Sequence, residues 1–206
     1  MYCTALDSMG RTITILFLAF LLFCFFIDFI YFVLSLVTYL LKGKGISTMA
    51  KKLGVPCPDG AYIPVYRHKI FGDVADAAAA RTHGKPKRNY GKILMGLNIS
   101  IMILAVIAIG IYLFALSTSL DNSAPRITLI RMTAFFGYAF TLLLLTAATV
   151  TFAVITFIAY YRIFLCFSPD SAVLWLLLAI LVNPAGEILV YAMSKSEPVP
   201  PAQTSK

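Results

Sequence analysis

The chain has 206 residues, of which 60% are hydrophobic and only 13% are charged, and its net charge is +8. Soluble domains are roughly half apolar and about a quarter charged. This composition therefore excludes a disordered chain, a collagen-like repeat, a coiled coil and a small disulfide scaffold. It is typical of a polytopic membrane protein, and we expect an all-α fold with four membrane-spanning helices and a basic, amphipathic cytoplasmic loop.

Four apolar stretches are long enough, or nearly so, to cross a hydrocarbon layer about 30 Å thick as helices. The first is about twice as long as the apolar part of a signal peptide, and no small-residue cleavage pattern follows it, so we expect it to be retained. After a short N-terminal segment, 1–12, the predicted spans are 13–41, 93–120, 133–160 and 172–193. An external loop at 121–132, a short cytoplasmic loop at 161–171 and a flexible tail at 194–206 complete the order.

The loop at 42–92 holds eleven basic and three acidic residues, which is the whole charge excess of the chain. The positive-inside rule places such a loop in the cytoplasm, and with four spans both termini then lie outside. Pro64 is suited to the first position of a helix. We expect that helix to end at Gly84, with Arg67, Lys69, Asp73 and Asp76 on the side opposite its apolar face.

A basic cluster beside a membrane attracts anionic headgroups by about 1 kcal/mol per residue. The residues that we assign to lipid or partner binding are Lys51, Lys52, Arg67, Lys69, Lys85, Lys87 and Arg88. The simpler alternative is that the loop only determines topology and lies on the inner leaflet. No motif for reading nucleic acid accompanies these residues, so we expect no nucleic-acid partner.

Five short motifs follow one another along the chain. They are GISTMAKKLG at 45–54, AYIPV at 61–65, IFGDVAD at 70–76, GKPKR at 84–88, and the Tyr161-Arg162 pair ahead of Cys166 and Pro184. In their order these motifs resemble a family of uncharacterised integral membrane proteins from Clostridia-type bacteria, in which Trp usually stands where this chain has Tyr62. The resemblance implies a multi-pass protein of a bacterial inner membrane, and it implies no activity.

The fourth apolar stretch contains Pro184 and Gly186 near its middle, which leaves two arrangements open. We expect a proline kink within one span, because proline is commoner in membrane helices than in soluble ones. The alternative is a re-entrant hairpin, which is tolerated where protein or water covers it and which would put the tail in the cytoplasm. Trp175 and Tyr191, near the two ends of the stretch, are suited to the membrane interface.

Two acids within apolar stretches are candidates for chemistry. Asp28 lies near the centre of the first span, where an ionised carboxylate costs at least about 2.5 kcal/mol. It belongs to a polar stripe that also contains Cys24, Tyr31, Ser35 and Thr38. Glu187 follows Pro184, where Asn183 could supply a further oxygen ligand. We therefore consider a proton or cation site formed by Asp28, Glu187 and Asn183. The alternative is that both acids are protonated and hydrogen-bonded to neighbouring helices.

The other chemistry-bearing residue types form no recognised pattern. The four cysteines lack paired spacing and only two histidines occur, so we predict neither a disulfide framework nor a metal site. Motifs for a nucleophile, a phosphate loop or a metalloprotease are missing from the sequence. We expect neither an enzyme nor a cofactor. Gly110 and Gly137, in the later spans, are expected at helix–helix contacts.

Two functions remain. The first is a non-enzymatic membrane interaction or accessory protein, whose partners are the lipid bilayer, its anionic headgroups at 42–92, and an unidentified protein. The alternative is a small proton- or cation-linked permease or channel subunit that uses the intramembrane carboxylates.

Overall fold

The computed structural model describes residues 2–84, 89–119, 126–182 and 185–200, and every regular element in these ranges is helical. The helices are α1, Tyr2–Lys52; α2, Pro64–His83; α3, Tyr90–Ser119; α4, Arg126–Phe167; α5, Ala172–Leu181; and α6, Ala185–Met193. Short 3₁₀ turns at Pro58–Tyr62 and Pro169–Ser171 precede α2 and α5. The predicted all-α class is therefore confirmed.

Three of these helices contain a segment that is long and apolar enough to cross a membrane, which confirms the four-span prediction in part. The segments are Phe17–Lys52, Tyr90–Ser117 and Met132–Phe167. The first continues well past residue 41, where the sequence predicts its end. It stops only at Lys52, beyond which Gly54 adopts a left-handed conformation (φ +70°) and Val55 N–H donates to the Ala50 carbonyl. This is a common way for a helix to end.

The chain divides into two compact units, Met1–Leu41 and Lys42–Lys206. The first unit is one helical stretch, whose large apolar side chains from Phe17 onward are mostly exposed. The second unit contains the last turns of α1 and all of α2 to α6.

The apolar core of the second unit lies at one end of its long helices. It is formed by the last turns of α1, by α2, by the first turns of α3, by the final turns of α4 and by α6. Its largest fully buried apolar side chains include Phe164, Ile46, Met49, Ile70 and Leu94. We call this region, residues 42–84, 90–95, 152–172 and 185–200, the body. We call residues 96–117 and 132–151, the rest of the two long helices α3 and α4, the open middles.

The helix α2 begins at Pro64 and ends at Gly84, which has φ +61°, as the sequence predicts. The predicted polar side of this helix is not uniform: Arg67 and Lys69 are partly exposed, whereas Asp73 is only 9% exposed and Asp76 only 2%. The helix packs on more than one side: a Cβ at Gly72 would overlap the backbone at the start of α3. The face of α2 that holds Asp73 and Asp76 is therefore covered by other helices of the body.

The predicted fourth span, 172–193, is divided into α5 and α6. A Cβ placed on Gly186 would lie 3.4 Å from the Cβ of Ala179. In one continuous helix these two positions would be about 10 Å apart. Beyond α6, Val199 N–H donates to the Cys166 carbonyl at 2.9 Å. The chain therefore returns to the C-terminal end of α4, which immediately precedes α5 in the sequence. The two short helices thus form a hairpin.

The open middles bury few side chains, and these are small, such as Ala108 and Ala134. Tyr112 and Tyr138 approach each other there, with ring centroids 6.0 Å apart. The prediction that Gly110 and Gly137 lie at helix contacts is wrong, because no described atom of another helix lies within 4 Å of a Cβ placed on either. The outer surface of this part is apolar side chain.

Candidate functional site

An ion pair joins the beginning and the end of the body. The ammonium nitrogen of Lys42 lies 3.0 Å from Glu187 Oε1, and the two side chains are only 11% and 25% exposed. The pair forms because α1 and α6 touch: a Cβ on Gly45 would lie 2.9 Å from the backbone of Tyr191. Only glycine permits so close an approach, and Lys42 lies almost one turn before it.

Aromatic rings enclose the rest of the Lys42 ammonium. Its nitrogen lies 5.8 Å from the ring centroid of Phe71 and 5.7 Å from that of Tyr160. The two rings pack edge to face, with centroids 4.9 Å apart. Ring faces attract cations, so the charge is stabilised by one carboxylate and two π systems.

His68 lies close to this pair on α2. Its ring packs edge-on to Phe152, with centroids 5.2 Å apart. Burial lowers the pKa of His68 to about 4, and the positive charges of Lys42 and Arg67 act in the same direction, against a smaller opposing effect of Glu187. The imidazole is therefore neutral at pH 7.

A second polar cluster joins α2, α3 and α4. Asp76 accepts a hydrogen bond from Tyr90 N–H at the start of α3, at 2.8 Å, and its other oxygen lies 3.8 Å from an Arg162 nitrogen. The Arg162 guanidinium also lies 4.4 Å above the Tyr90 ring and donates to the Tyr90 hydroxyl at 3.3 Å. A carboxylate at a helix N-terminus accepts from an otherwise unpaired N–H, and its negative charge interacts favourably with the helix dipole.

The residues of the predicted proton or cation site fall in different places. Glu187 lies in the second unit, where Lys42 neutralises its charge. Asp28 lies in the first unit, with an exposed side chain. Asn183 is outside the described residues. A site shared by the three stays a prediction.

The residues assigned to lipid or partner binding differ in their exposure to solvent and in the groups that they contact. Lys51 is exposed, and its nitrogen lies 3.6 Å from Asp59, which is also exposed. Lys52 instead holds the tail, through the Ser196 carbonyl at 2.8 Å and Glu197 at 3.0 Å. The positions 85, 87 and 88 are outside the described residues, so Lys85, Lys87 and Arg88 are not located.

The remaining two lie on α2. Lys69 is partly exposed and donates to the Tyr66 hydroxyl at 2.8 Å, and this hydrogen bond raises the pKa of Lys69. Arg67 is partly buried, and its charge acts on the neighbouring His68. Neither residue is as open to solvent as Lys51.

Sequence reasoning missed two further lysines that share one tyrosine. The Lys44 nitrogen lies 5.9 Å from the Tyr191 ring centroid, and the Lys195 nitrogen lies 5.3 Å from it. Both lysines are exposed. The sequence offers only a weak signal for this cluster. Each lysine follows the end of an apolar run, and Tyr191 is of a residue type that is common at the membrane interface.

In the part of the chain that the structure describes, no group of three or more His, Cys, Asp and Glu side chains is placed to hold a metal ion. No protein-family model matches the chain, and no match is found among curated proteins or solved structures. The arrangement places two ion pairs inside the body and exposed lysines on its surface.

Proposed function

We propose that this chain is a non-enzymatic, multi-pass protein of the cell membrane that attaches its basic body to anionic headgroups at the cytoplasmic surface, where it can engage a protein partner. The observation that carries the proposal is the separation of charges. Two cations inside the body, Lys42 and Arg162, lie beside carboxylates. Several lysines on its surface are instead exposed: Lys44, Lys51, Lys92 and Lys195.

The proposed topology has three spans and a re-entrant hairpin formed by α5 and α6. Each hairpin helix is about 15 Å long, half the thickness of the hydrocarbon layer. The body and the tail then share the cytoplasmic side, which is supported by the hydrogen bond between Val199 and Cys166. This order also places fourteen basic residues inside and three outside, Arg11, Arg126 and Arg131.

Surface lysines attract lipid only while their charge is not compensated. The ion pair of Lys51 with Asp59 is exposed and 3.6 Å long, so Asp59 compensates little of the Lys51 charge. Lys44 and Lys195 contact an aromatic ring rather than an acid. Each such lysine adds about 1 kcal/mol of attraction to an anionic surface, and salt screens this effect.

The test measures which lipids surround the protein in a bilayer. The full chain is reconstituted with spin-labelled phosphatidylglycerol or phosphatidylcholine, and the motionally restricted fraction of each is compared. We expect a preference of severalfold for phosphatidylglycerol, and it should fall when Lys44, Lys51, Lys92 and Lys195 are replaced by Gln. Replacement of Arg126 and Arg131 by Gln, at the other end of α4, is the control. A wild-type protein without preference would overturn the proposal.

The topology has its own test in intact cells. In a Cys3→Ser background, Ser196→Cys and Ser123→Cys are treated separately with a membrane-impermeant maleimide; Ser196 is chosen because it is exposed in the tail. The hairpin predicts labelling of position 123 and protection of position 196. A kinked fourth span predicts labelling of both.

The permease alternative has less support. A transported cation would have to displace the Lys42 ammonium from Glu187, 3.0 Å away. His68, with its pKa lowered to about 4 by burial and nearby cations, is a neutral imidazole near neutral pH and does not gain or lose a proton there. A proton or cation flux in proteoliposomes that disappears with Asp28→Asn or Glu187→Gln would nevertheless favour the permease.

A further inference from the structure

We propose that Lys44, Tyr191 and Lys195 form a discrete binding site for the phosphate of a single anionic phospholipid. This inference rests on the proposed attachment to anionic lipid. It goes beyond that proposal by assigning one ligand to one set of side chains, two of which lie outside the basic loop at 42–92.

The geometry brings two positive charges to one ring. The ammonium nitrogens of Lys44 and Lys195 lie 5.9 Å and 5.3 Å from the centroid of Tyr191, and therefore within about 11 Å of each other. Both side chains are exposed and end in flexible four-carbon stems, so they can converge on an anion. A phosphodiester shares its negative charge between two oxygens, one of which can accept from each ammonium.

Backbone contacts on both sides of the site hold the three residues together. Gly45, next to Lys44, lies so close to Tyr191 that a Cβ there would be 2.9 Å from the tyrosine backbone. Lys52 donates to the carbonyls of Lys195 and Ser196, at 3.4 Å and 2.8 Å. The first contact fixes α6 against α1, and the second fixes the tail. The site is therefore built before the ligand arrives.

The charge of the two lysines is not matched by the protein. The acids that could have served are engaged elsewhere: Glu187 pairs with Lys42, and Glu197 pairs with Lys52. Among the residues that the structure describes, no acidic side chain lies within ion-pairing distance of Lys44 or Lys195. Two neighbouring cations without a carboxylate favour an anionic ligand.

The surroundings favour a lipid over free phosphate. Tyr191 lies near the end of the apolar helix α6, and tyrosine at such a position belongs to the headgroup region. Ile188, one turn earlier on the same face, is 46% exposed. A ligand with a phosphate above and an acyl chain below would contact both residues. Inorganic phosphate would contact the two lysines and would leave Ile188 without an apolar ligand.

The experiment measures lipid binding to the detergent-solubilised full chain by native mass spectrometry. Phosphatidylglycerol and phosphatidylcholine are titrated separately. We expect one phosphatidylglycerol to bind at least tenfold more tightly than phosphatidylcholine, which corresponds to about 1.4 kcal/mol. The variant Lys44→Gln/Lys195→Gln should lose this preference. The variant Lys51→Gln/Lys92→Gln removes the same charge from other exposed positions and should lose much less of the preference.

Two further arms complete the test. The variant Lys44→Arg/Lys195→Arg keeps the charges and should bind phosphatidylglycerol like the wild type. Inorganic phosphate at millimolar concentration should not displace the lipid, and full displacement would overturn the lipid assignment. Equal losses in the two Gln double variants would also overturn the site, because general attraction would then explain binding.

The outcomes separate this site from the broader proposal. If the wild type prefers phosphatidylglycerol and Lys44→Gln/Lys195→Gln binds it unchanged, the site is wrong and the attachment to anionic lipid stands. If the wild type shows no preference between the two lipids in bilayers, the proposed function itself falls.

Discussion

The body and the open middles both consist of helices rich in apolar side chains, yet they use those side chains in opposite ways. In the body, residues such as Phe164 and Ile46 are fully buried. In the long apolar segments that include the open middles, only about 6% of the most hydrophobic window is buried. Apolar side chains gain little from leaving lipid for protein. The tertiary structure of the second unit therefore depends on the body, where close backbone contacts and buried charges specify the arrangement.

The largest expected effect compares one glycine from each region. In Gly72→Ala, the new Cβ would overlap the backbone nitrogen of Gly91 and lie 2.6 Å from the Tyr90 carbonyl carbon. Two backbone segments cannot yield as a flexible side chain does, so we expect a loss of about 3 kcal/mol or more in the free energy of unfolding. Denaturant titration in mixed micelles measures it.

The control is Gly110→Ala, in an open middle where no described atom of another helix lies within 4 Å of the new Cβ. Alanine is also the better helix former, so stability should change by less than about 1 kcal/mol, and upward. Equal losses in the two variants would remove the distinction between the regions.

The second prediction concerns the buried carboxylate that joins three helices. Asp76→Ala would leave Tyr90 N–H without its acceptor and Arg162 without its counter-charge. We expect a loss of about 2–3 kcal/mol by the same titration. Asp59→Ala removes an acid of the body that is 80% exposed, and it should change stability by less than about 1 kcal/mol. A loss in Asp59→Ala as large as that in Asp76→Ala would contradict the assigned burial.

The third prediction tests the pair that connects α1 with α6. Lys42→Met or Glu187→Leu alone leaves a mostly buried charge without its partner, at a cost of about 2 kcal/mol. The double variant Lys42→Met/Glu187→Leu removes both charges and should be less destabilised than either single variant. Additive losses would show that the two side chains do not interact.

The smallest effect is a pH dependence from His68. Its pKa of about 4 in the folded protein, set by burial and then by Lys42 and Arg67, is below the ordinary value of 6.5. The stability that neutral His68 contributes is therefore fully present above pH 6.5, and it declines as the pH falls toward 4. Between pH 7 and 5 we expect a loss of about 1 kcal/mol, allowing for partial exposure.

The same titrations on His68→Gln isolate this contribution from that of the carboxylates. The difference in unfolding free energy between wild type and variant should shrink from pH 7 to pH 5. A difference that stays constant would show that burial does not suppress protonation of His68.

The parts of the fold that follow from local patterns could be predicted. Length and apolarity give the long helices, and Pro64 and Gly84 give both ends of α2. The burial of Asp76 could not be foreseen, because it depends on the contact of Gly72 with Gly91, and the helical period alone does not contain that contact. A polar residue at the edge of an apolar face has the same local pattern whether or not a second helix covers it.

The candidate site was harder to predict for the same reason. Lys42 and Glu187 are 145 residues apart in the chain, and neither has a local signal for the other. The hairpin at α5 and α6 was one of two arrangements compatible with Pro184 and Gly186. Gly186 lies close to Ala179 and Tyr160, and this contact distinguishes the hairpin from a kinked helix. The sequence does not reveal the contact, because it depends on the three-dimensional packing.

The pairing of Lys42 with Glu187 has a consequence for biosynthesis. A ribosome adds about 5–20 residues per second, so the lysine leaves the peptidyl-transferase centre about 7–30 s before its carboxylate partner is made. Until then the apolar surface of the nascent chain that α6 will cover is open to chaperones and to other newly made chains. A message truncated before α6 would yield a product that stays in that state, which makes it a substrate for membrane proteases.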